Sequence, residues 1–460
     1  MNYSNIYFMG IGGIGMSALA RYFLHEGRKV AGYDRTETPL TRALQAEGAY
    51  VTYDDEVENI PAEFRDPATT MVVYTPAVPA DHPQMAFFRE GGFLVEKRSQ
   101  MLGHLSEGKY VMAVAGTHGK TTTSTMIAWL NAATDMGGNA FLGGISKNFN
   151  GNMVLGQGDR LAVEADEFDR SFLRLKPNVA VITSVAPDHL DIYGTFEAVV
   201  EAFGQFASLI KKGGDLVIKQ GVDIPLPEGI DIWRYSYDDS SSDFYATNVV
   251  LQQGGYYRFD IVTPFGTFRD LTLGIPGWVN IENAVAAVAS SVCAARKRKE
   301  ELDEQKLKAA LEAFSGVKRR FEFYVNTPRQ VYMDDYAHHP EELEATITSV
   351  RKMFPERKIT AVFQPHLYTR TRDLYREFAD ALSLADTTVL VPIYPAREEP
   401  IEGITSEIIA DCVTVPCSIC ERENLADYLA AAETDVVVTF GAGNIDAYCQ
   451  AIADALSHKA

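Results

Sequence analysis

A chain of 460 residues, 46% hydrophobic and 23% charged, has the length of about three globular domains of ordinary size. Its formal net charge of −20 argues against a nucleic-acid partner, which wants a basic face. No apolar run approaches the roughly 20 residues of a membrane span, and the opening residues hold no basic leader, so a cytoplasmic location is expected.

Asn5 to Met9 reads as a strand, and Gly10-Ile-Gly12-Gly13-Ile14-Gly15 opens a helix reaching His25. A second strand, Val30 to Tyr33, ends in Asp34. This is the glycine fingerprint of a βαβ unit with an acidic residue about twenty positions on. By itself it fits a dinucleotide, and equally any other diphosphate. Strand and helix patterns alternate to about Leu105, so residues 1–106 are expected to form a first, Rossmann-like domain.

Residues 107–317 form the second expected domain, and Val111 to Thr125, VMAVAGTHGKTTTST, is its centre. A short apolar strand breaks at Ala115-Gly116, and a helical period starts after Gly119-Lys120-Thr121-Thr122. Such a turn points unpaired backbone N–H groups at a phosphate. Lys120 would meet the terminal phosphates and the Thr121 hydroxyl would sit on Mg²⁺. The strict phosphate-loop pattern wants a glycine where Val114 stands, so Gly116, Thr117, His118, Gly119, Lys120, Thr121 and Thr122 make a shortened version. Two later strands end in Glu164 and before His189, where a metal ligand or a γ-phosphate-orienting group belongs. Trp233 to Phe268 reads as an antiparallel hairpin or meander. Asn280 and Asn283 lie one helical turn apart and are candidates for a purine edge, with helix capping by Asn280 as the alternative.

The third expected domain, 318–460, is another open parallel sheet with polar residues at its strand ends: Asp335-Tyr336-Ala-His338, then Gln364-Pro-His366-Leu367 through Arg370 and Arg372. Cys412, Cys417, Cys420 and Cys449 reproduce an iron–sulfur spacing. Val413 to Pro416 nevertheless reads as a strand, and on a strand Cys417 and Cys420 face opposite ways. Buried reduced thiols are the expected state.

FMGIGGIGMSALA, AGTHGKTTT, EADEFDRSF, PDHLDIYG, NIENAVAA, GVKRRFE, DDYAHHP, QPHLYTRTRD and GAGNID together, in this order, resemble the Mur ligase family from end to end. The resemblance implies an α/β fold of three open, mostly parallel sheets: an N-terminal Rossmann-like domain binding a UDP-sugar, a central P-loop ATPase and a C-terminal Rossmann-like domain carrying the amino-acid site. It implies ATP-dependent ligation of L-alanine to the carboxylate of UDP-N-acetylmuramate through an acyl phosphate, with Mg²⁺ or Mn²⁺, by a monomer or homodimer that closes on its ligands. The first fingerprint (Gly10, Gly12, Gly13, Ile14, Gly15, Asp34) then belongs to the UDP-sugar. Lys120 stabilises the transferring phosphoryl group, and Thr121, Glu164 and His189 hold metal. Asn280, Asn283, Arg320 and Asp335 contact the nucleotide, while Tyr336, His338 and Arg370 receive the amino acid. Many members carry arginine at the position of Leu367, so the carboxylate clamp here rests on Arg370, with Arg372 as a substitute. The nearest alternative is a member that joins a tripeptide to the same UDP-sugar; its opening loop carries Cys-Gly-Thr within the stretch that here reads Ile11-Gly12-Gly13-Ile14-Gly15-Met16-Ser17. An NAD-dependent oxidoreductase or a nucleotide-sensing module would leave the phosphate loop or the metal ligands unexplained.

Overall fold

The computed structural model describes residues 3–79, 81–396 and 398–458. The short apolar runs named above become strands in three sheets. The first comprises β1 (Asn5–Met9), β2 (Lys29–Tyr33), β3 (Tyr50–Thr52), β4 (Thr70–Tyr74) and β5 (Leu94–Lys97). All its pairings are parallel, in the order β3-β2-β1-β4-β5. Parallel strands are covered on both faces, which is why β1 is buried at every residue.

The second sheet opens with β6 (Tyr110–Ala115), β7 (Asn139–Ser146), β8 (Gly151–Val154), β9 (Arg160–Glu164) and β10 (Val179–Ile182). It continues with β11 (Asp215–Lys219), β12 (Asp231–Ser236), β13 (Phe244–Leu251), β14 (Tyr257–Thr263) and β15 (Gly266–Thr272), in the order β15-β14-β13-β12-β11-β10-β6-β9-β7-β8. Glu164 therefore ends the strand on one side of β6, and Thr183 follows the strand on its other side. Such a cleft, outside the carboxyl ends of parallel strands, is where open α/β sheets take ligands.

Trp233 departs from the expected hairpin. It lies on β12, which pairs parallel with β11, and its indole N–H donates to Asp215 at 2.9 Å. Alternation of apolar and polar residues reports that a strand has two unlike faces and says nothing of its direction, so the pattern does not separate this parallel strand from the meander. The meander begins only at β13.

The third sheet holds β16 (Glu322–Asn326), β17 (Val331–Asp335), β18 (Ile359–Phe363), β19 (Thr387–Leu390), β20 (Cys417–Ile419) and β21 (Val436–Phe440), ordered β16-β17-β21-β18-β19-β20. Only β16 runs antiparallel to its neighbour. The strand expected over Val413–Pro416 starts instead at Cys417, which pairs with Thr388. Pro416 has no N–H to give a ladder and contributes only its carbonyl, to the Thr388 N–H. Cys417 packs on one face of this sheet, while Cys420 and Cys449 pack on the other.

The chain gathers into two compact units, one of residues 1–245, 261–267 and 283–314, the other of 246–260, 268–282 and 315–460. Within the first, the cores of the first two sheets are continuous: Ile6, Phe8 and Leu19 share a cluster with Val111, Phe141 and Leu161. Asn152 on β8 fastens this junction, donating to the Ile14 carbonyl and Ser17 hydroxyl on the helix Ile14–His25 and accepting from Arg21. One helix among the described residues, Trp278–Arg298, is long and apolar enough to cross a membrane; it is mostly buried within the protein.

Candidate active site

The phosphate loop is built by β6, the turn Gly116–Gly119 and the helix Lys120–Ala133. Gly116 has φ +138°, and a Cβ there would stand 2.0 Å from the Thr183 hydroxyl; Gly119 has φ +81° at the helix start. Neither position admits a side chain without strain. The segment after β10 locks the turn: Thr117 N–H donates to the Ser184 carbonyl, His118 N–H to the Ser184 hydroxyl, and Ala186 N–H to the Thr117 hydroxyl. Thr183 donates its own hydroxyl to the His118 carbonyl at 2.5 Å. Thr117, Thr121 and Thr122 are all buried around it.

Lys120 Nζ curls into the loop, donating to the carbonyls of Gly116 at 2.5 Å and Thr117 at 3.1 Å. Its third partner is Glu167 at 2.8 Å, which the sequence reading passed over. Burial works against the ammonium, but Glu167 and Glu164 outweigh it and hold the lysine protonated. Burial pushes the Glu167 carboxyl up to about 7, against the pull of Lys120.

Glu164 approaches the β7 backbone so closely that a Cβ on Gly143 would lie 2.2 Å from Oε2. That Oε2 is buried with no hydrogen-bond partner. An ionised oxygen left so is costly unless a cation completes it. His189 has φ +54°, stands 3.6 Å from the Asp188 carboxylate and rests edge-on against Phe168. No group of three or more His, Cys, Asp or Glu suited to a metal occurs among the described residues. A hydroxyl, one carboxylate and one imidazole are a set that leaves room for water and phosphate oxygens, as Mg²⁺ sites do.

Asn283 forms the floor of the loop: its Oδ1 accepts from Thr123 at 3.3 Å and would stand 2.8 Å from a Gly119 Cβ. Asn280, in the other compact unit, lies inside the helix rather than at its cap and donates to the Pro276 carbonyl at 2.6 Å.

In the first sheet the Gly12 N–H donates to Asp34 at 2.7 Å, and the N–H groups of Gly10 and Ile11 turn back to the Tyr33 carbonyl. The fingerprint loop is thereby folded around the acidic residue that follows β2, with Gly13 as the residue before the helix. A Cβ on Gly15 would stand 2.9 Å from Nη1 of Arg98, a residue that carries no motif.

In the second unit Asp335 accepts from the N–H groups of Phe321 and Ala337, both at 2.9 Å. Burial raises this carboxyl to about 6, with Arg320 pulling it down. The guanidinium carbons of Arg319 and Arg320 stand 5.1 and 5.0 Å from the Tyr336 ring centre. His338 lies against Tyr336 and His366, and His366 stacks on Tyr394. Its Nδ1 faces two acceptors, the Tyr336 carbonyl at 3.0 Å and Glu342 at 3.3 Å, so the proton sits on Nδ1 and Nε2 keeps its lone pair. Burial, with a contribution from Arg370, lowers His338 to about 4. Arg372 is exposed and pairs with the adjacent Asp373 at 2.7 Å.

These two shifts have opposite linkage. His338 binds its proton more weakly in the native state than at its ordinary 6.5, so its contribution is complete above 6.5 and is lost as pH falls toward 4. Asp335 binds its proton more tightly, so its contribution is complete below 3.8 and is lost as pH rises through 6. On acidification from pH 7 to 5, His338→Gln is therefore expected to lose about 2 kcal/mol less stability than the wild type, read by urea unfolding. Equal losses would show that His338 is not held neutral.

The arrangement is that of a nucleotide-dependent enzyme of the α/β class. The chain matches the Mur ligase family catalytic domain over residues 5–110, the Mur ligase middle domain over 114–291 and the Mur ligase glutamate ligase domain over 319–443. It is 48% identical to the UDP-N-acetylmuramate–L-alanine ligase of Phocaeicola vulgatus, over 99% of this chain and 98% of that one. It is also 48% identical to the enzyme of the same name from Parabacteroides distasonis, over 98% and 97%. The crystal structure of a UDP-N-acetylmuramate–alanine ligase from Thermotoga maritima is similar with a TM-score of 0.81, at 26% identity and 99% and 100% coverage. A murein peptide ligase from Psychrobacter arcticus shares the fold with a TM-score of 0.70, at 22% identity over 98% of both chains. The chain belongs to the Mur ligase family.

Proposed function

We propose that this protein joins L-alanine to the lactyl carboxylate of UDP-N-acetylmuramate at the expense of ATP, in the synthesis of the peptidoglycan precursor. The observation that carries this reading is likeness over the whole chain, at 48% identity, to ligases of that name. Residues 1–106 bind the UDP-sugar, 107–317 bind ATP, and 318–460 bring the amino acid.

A carboxylate is a poor electrophile, and its oxygen a poor leaving group. One carboxylate oxygen therefore attacks the γ-phosphorus of ATP, the bond to the bridging oxygen breaks, and an acyl phosphate and ADP form. The amine of alanine then adds to the acyl carbon, loses a proton, and the tetrahedral intermediate expels phosphate as the amide forms. The protein positions these groups and neutralises their oxygens. Lys120 exchanges Glu167 and the loop carbonyls for the β- and γ-phosphates, and the N–H groups of Lys120 to Thr122 at the helix start cradle them. Thr121, Glu164 and His189 would hold Mg²⁺ or Mn²⁺, which when bound offsets negative charge on the phosphoryl oxygens and the substrate carboxylate. Asn283 beneath the loop, with Asn280, Arg320 and Asp335, is assigned to the nucleotide. Gly10, Gly12, Gly13, Ile14, Gly15 and Asp34 bind the sugar nucleotide. Arg370 pairs with the alanine carboxylate, Tyr336 flanks it, and the bare Nε2 of His338 accepts a hydrogen bond from the amine.

The test is phosphate release from ATP and Mg²⁺ with UDP-N-acetylmuramate, adding L-alanine or murein tripeptide separately. Release with alanine, and a product heavier by one alanyl residue, is expected. Release with tripeptide alone would move the protein to the tripeptide-joining reaction.

A further inference from the structure

Between the two glycine loops runs a chain of charged contacts that the reaction as described does not use. Arg98 begins the helix Arg98–Ser106 of the first sheet, with its guanidinium beside Gly15. Its Nη2 donates to Asp166 at 3.1 Å, and the preceding Lys97 pairs with Asp169 at 2.7 Å. Asp166 adjoins Glu167, the carboxylate that occupies Lys120.

The backbone of this segment is not at rest. Asp169 and Arg170, consecutive and neither of them glycine, have φ of +51° and +53°. Such conformations persist only where surroundings impose them. Here the surroundings are Lys97, Arg98 and the close approach of Gly103 to the Arg174 carbonyl, all from the first sheet's side, and the Tyr193 hydroxyl on the Glu167 carbonyl from the other.

We propose that Arg98 is a positioning residue that couples the two ligand sites: through Asp166 it fixes the segment bearing Glu167, and so sets how firmly Lys120 is withheld from nucleotide phosphates. This rests on the assignment of Gly10–Gly15 to the UDP-sugar. A diphosphate on that loop carries more negative charge than the single carboxylate of Asp166, and the guanidinium stands beside the loop's last glycine. Arg98 turns to it, Asp166 is released, and the strained segment relaxes with Glu167 on it. Lys120 is then free to meet ATP. Sugar nucleotide and ATP thus favour each other, and by linkage each raises the other's affinity by the same factor.

The experiment is calorimetric titration of the full chain with a non-hydrolysable ATP analogue and Mg²⁺, with and without saturating UDP-N-acetylmuramate. The wild type is expected to bind the analogue about fivefold or more tightly in the presence of the sugar nucleotide. Arg98→Ala and Asp166→Asn are each expected to bring this ratio to about one, the double variant to go no further, and Arg98→Lys to restore part of it. In both single variants the analogue alone binds at least as tightly as to the wild type, because Glu167 is less firmly held; general damage to the fold would weaken it. Asp166→Asn is nearly isosteric and carries the test if Arg98→Ala does not fold. A wild-type ratio of one, or an undiminished ratio in Asp166→Asn, overturns the coupling and leaves the functional reading standing. No binding of UDP-N-acetylmuramate at all overturns the functional reading itself, and the coupling with it.

Discussion

Lys120→Ala is expected to lower turnover by at least about 10³-fold without weakening the binding of UDP-N-acetylmuramate. The lysine side chain is 15% exposed and is held by the Gly116 and Thr117 carbonyls and by Glu167. The transferring phosphoryl group spreads its charge over three oxygens, so loss of a fixed ammonium is felt in the phosphoryl step. The fingerprint loop, in contrast, is shaped by Asp34 and the Tyr33 carbonyl. Phosphate release and sugar-nucleotide titration on one preparation separate the two. Equal loss of both would contradict the division of labour between the first and second sheets.

Glu164→Gln should lower turnover by about 10²-fold and raise the Mg²⁺ concentration needed for half-maximal rate. The substitution keeps the shape that packs on Gly143 but removes the charge and replaces one carboxylate oxygen by an NH2 donor, which weakens the hold on a cation. Ala at the same position would confound charge with packing. A Mg²⁺ dependence unchanged in Glu164→Gln would remove this residue from the metal site and leave Glu167 as the carboxylate to test next.

Much of this protein was legible without coordinates where the instruction is local. Gly116 and Gly119 mark backbone that other residues cannot adopt, Lys120 and Thr121 begin a helix whose first N–H groups lack partners, and Glu164 closes an apolar run. Each of these follows from a few neighbouring residues, and so did the three mostly parallel sheets. Strand direction at Trp233 and the start of β20 were not legible, because periodicity carries no sign and Pro416 acts only through the partner strand.

What tertiary structure alone decided is which charges meet. The run Glu164-Ala-Asp-Glu-Phe-Asp offers four carboxylates of similar standing, and nothing local selects among them. Folding sets Glu167 on Lys120 across 47 positions of sequence and Asp166 on Arg98 across 68. It leaves one oxygen of Glu164 buried and unpartnered. Backbone conformation is chosen by the residues beside it, whereas an ion pair is chosen by the approach of distant segments, and its strength depends on the burial that approach creates.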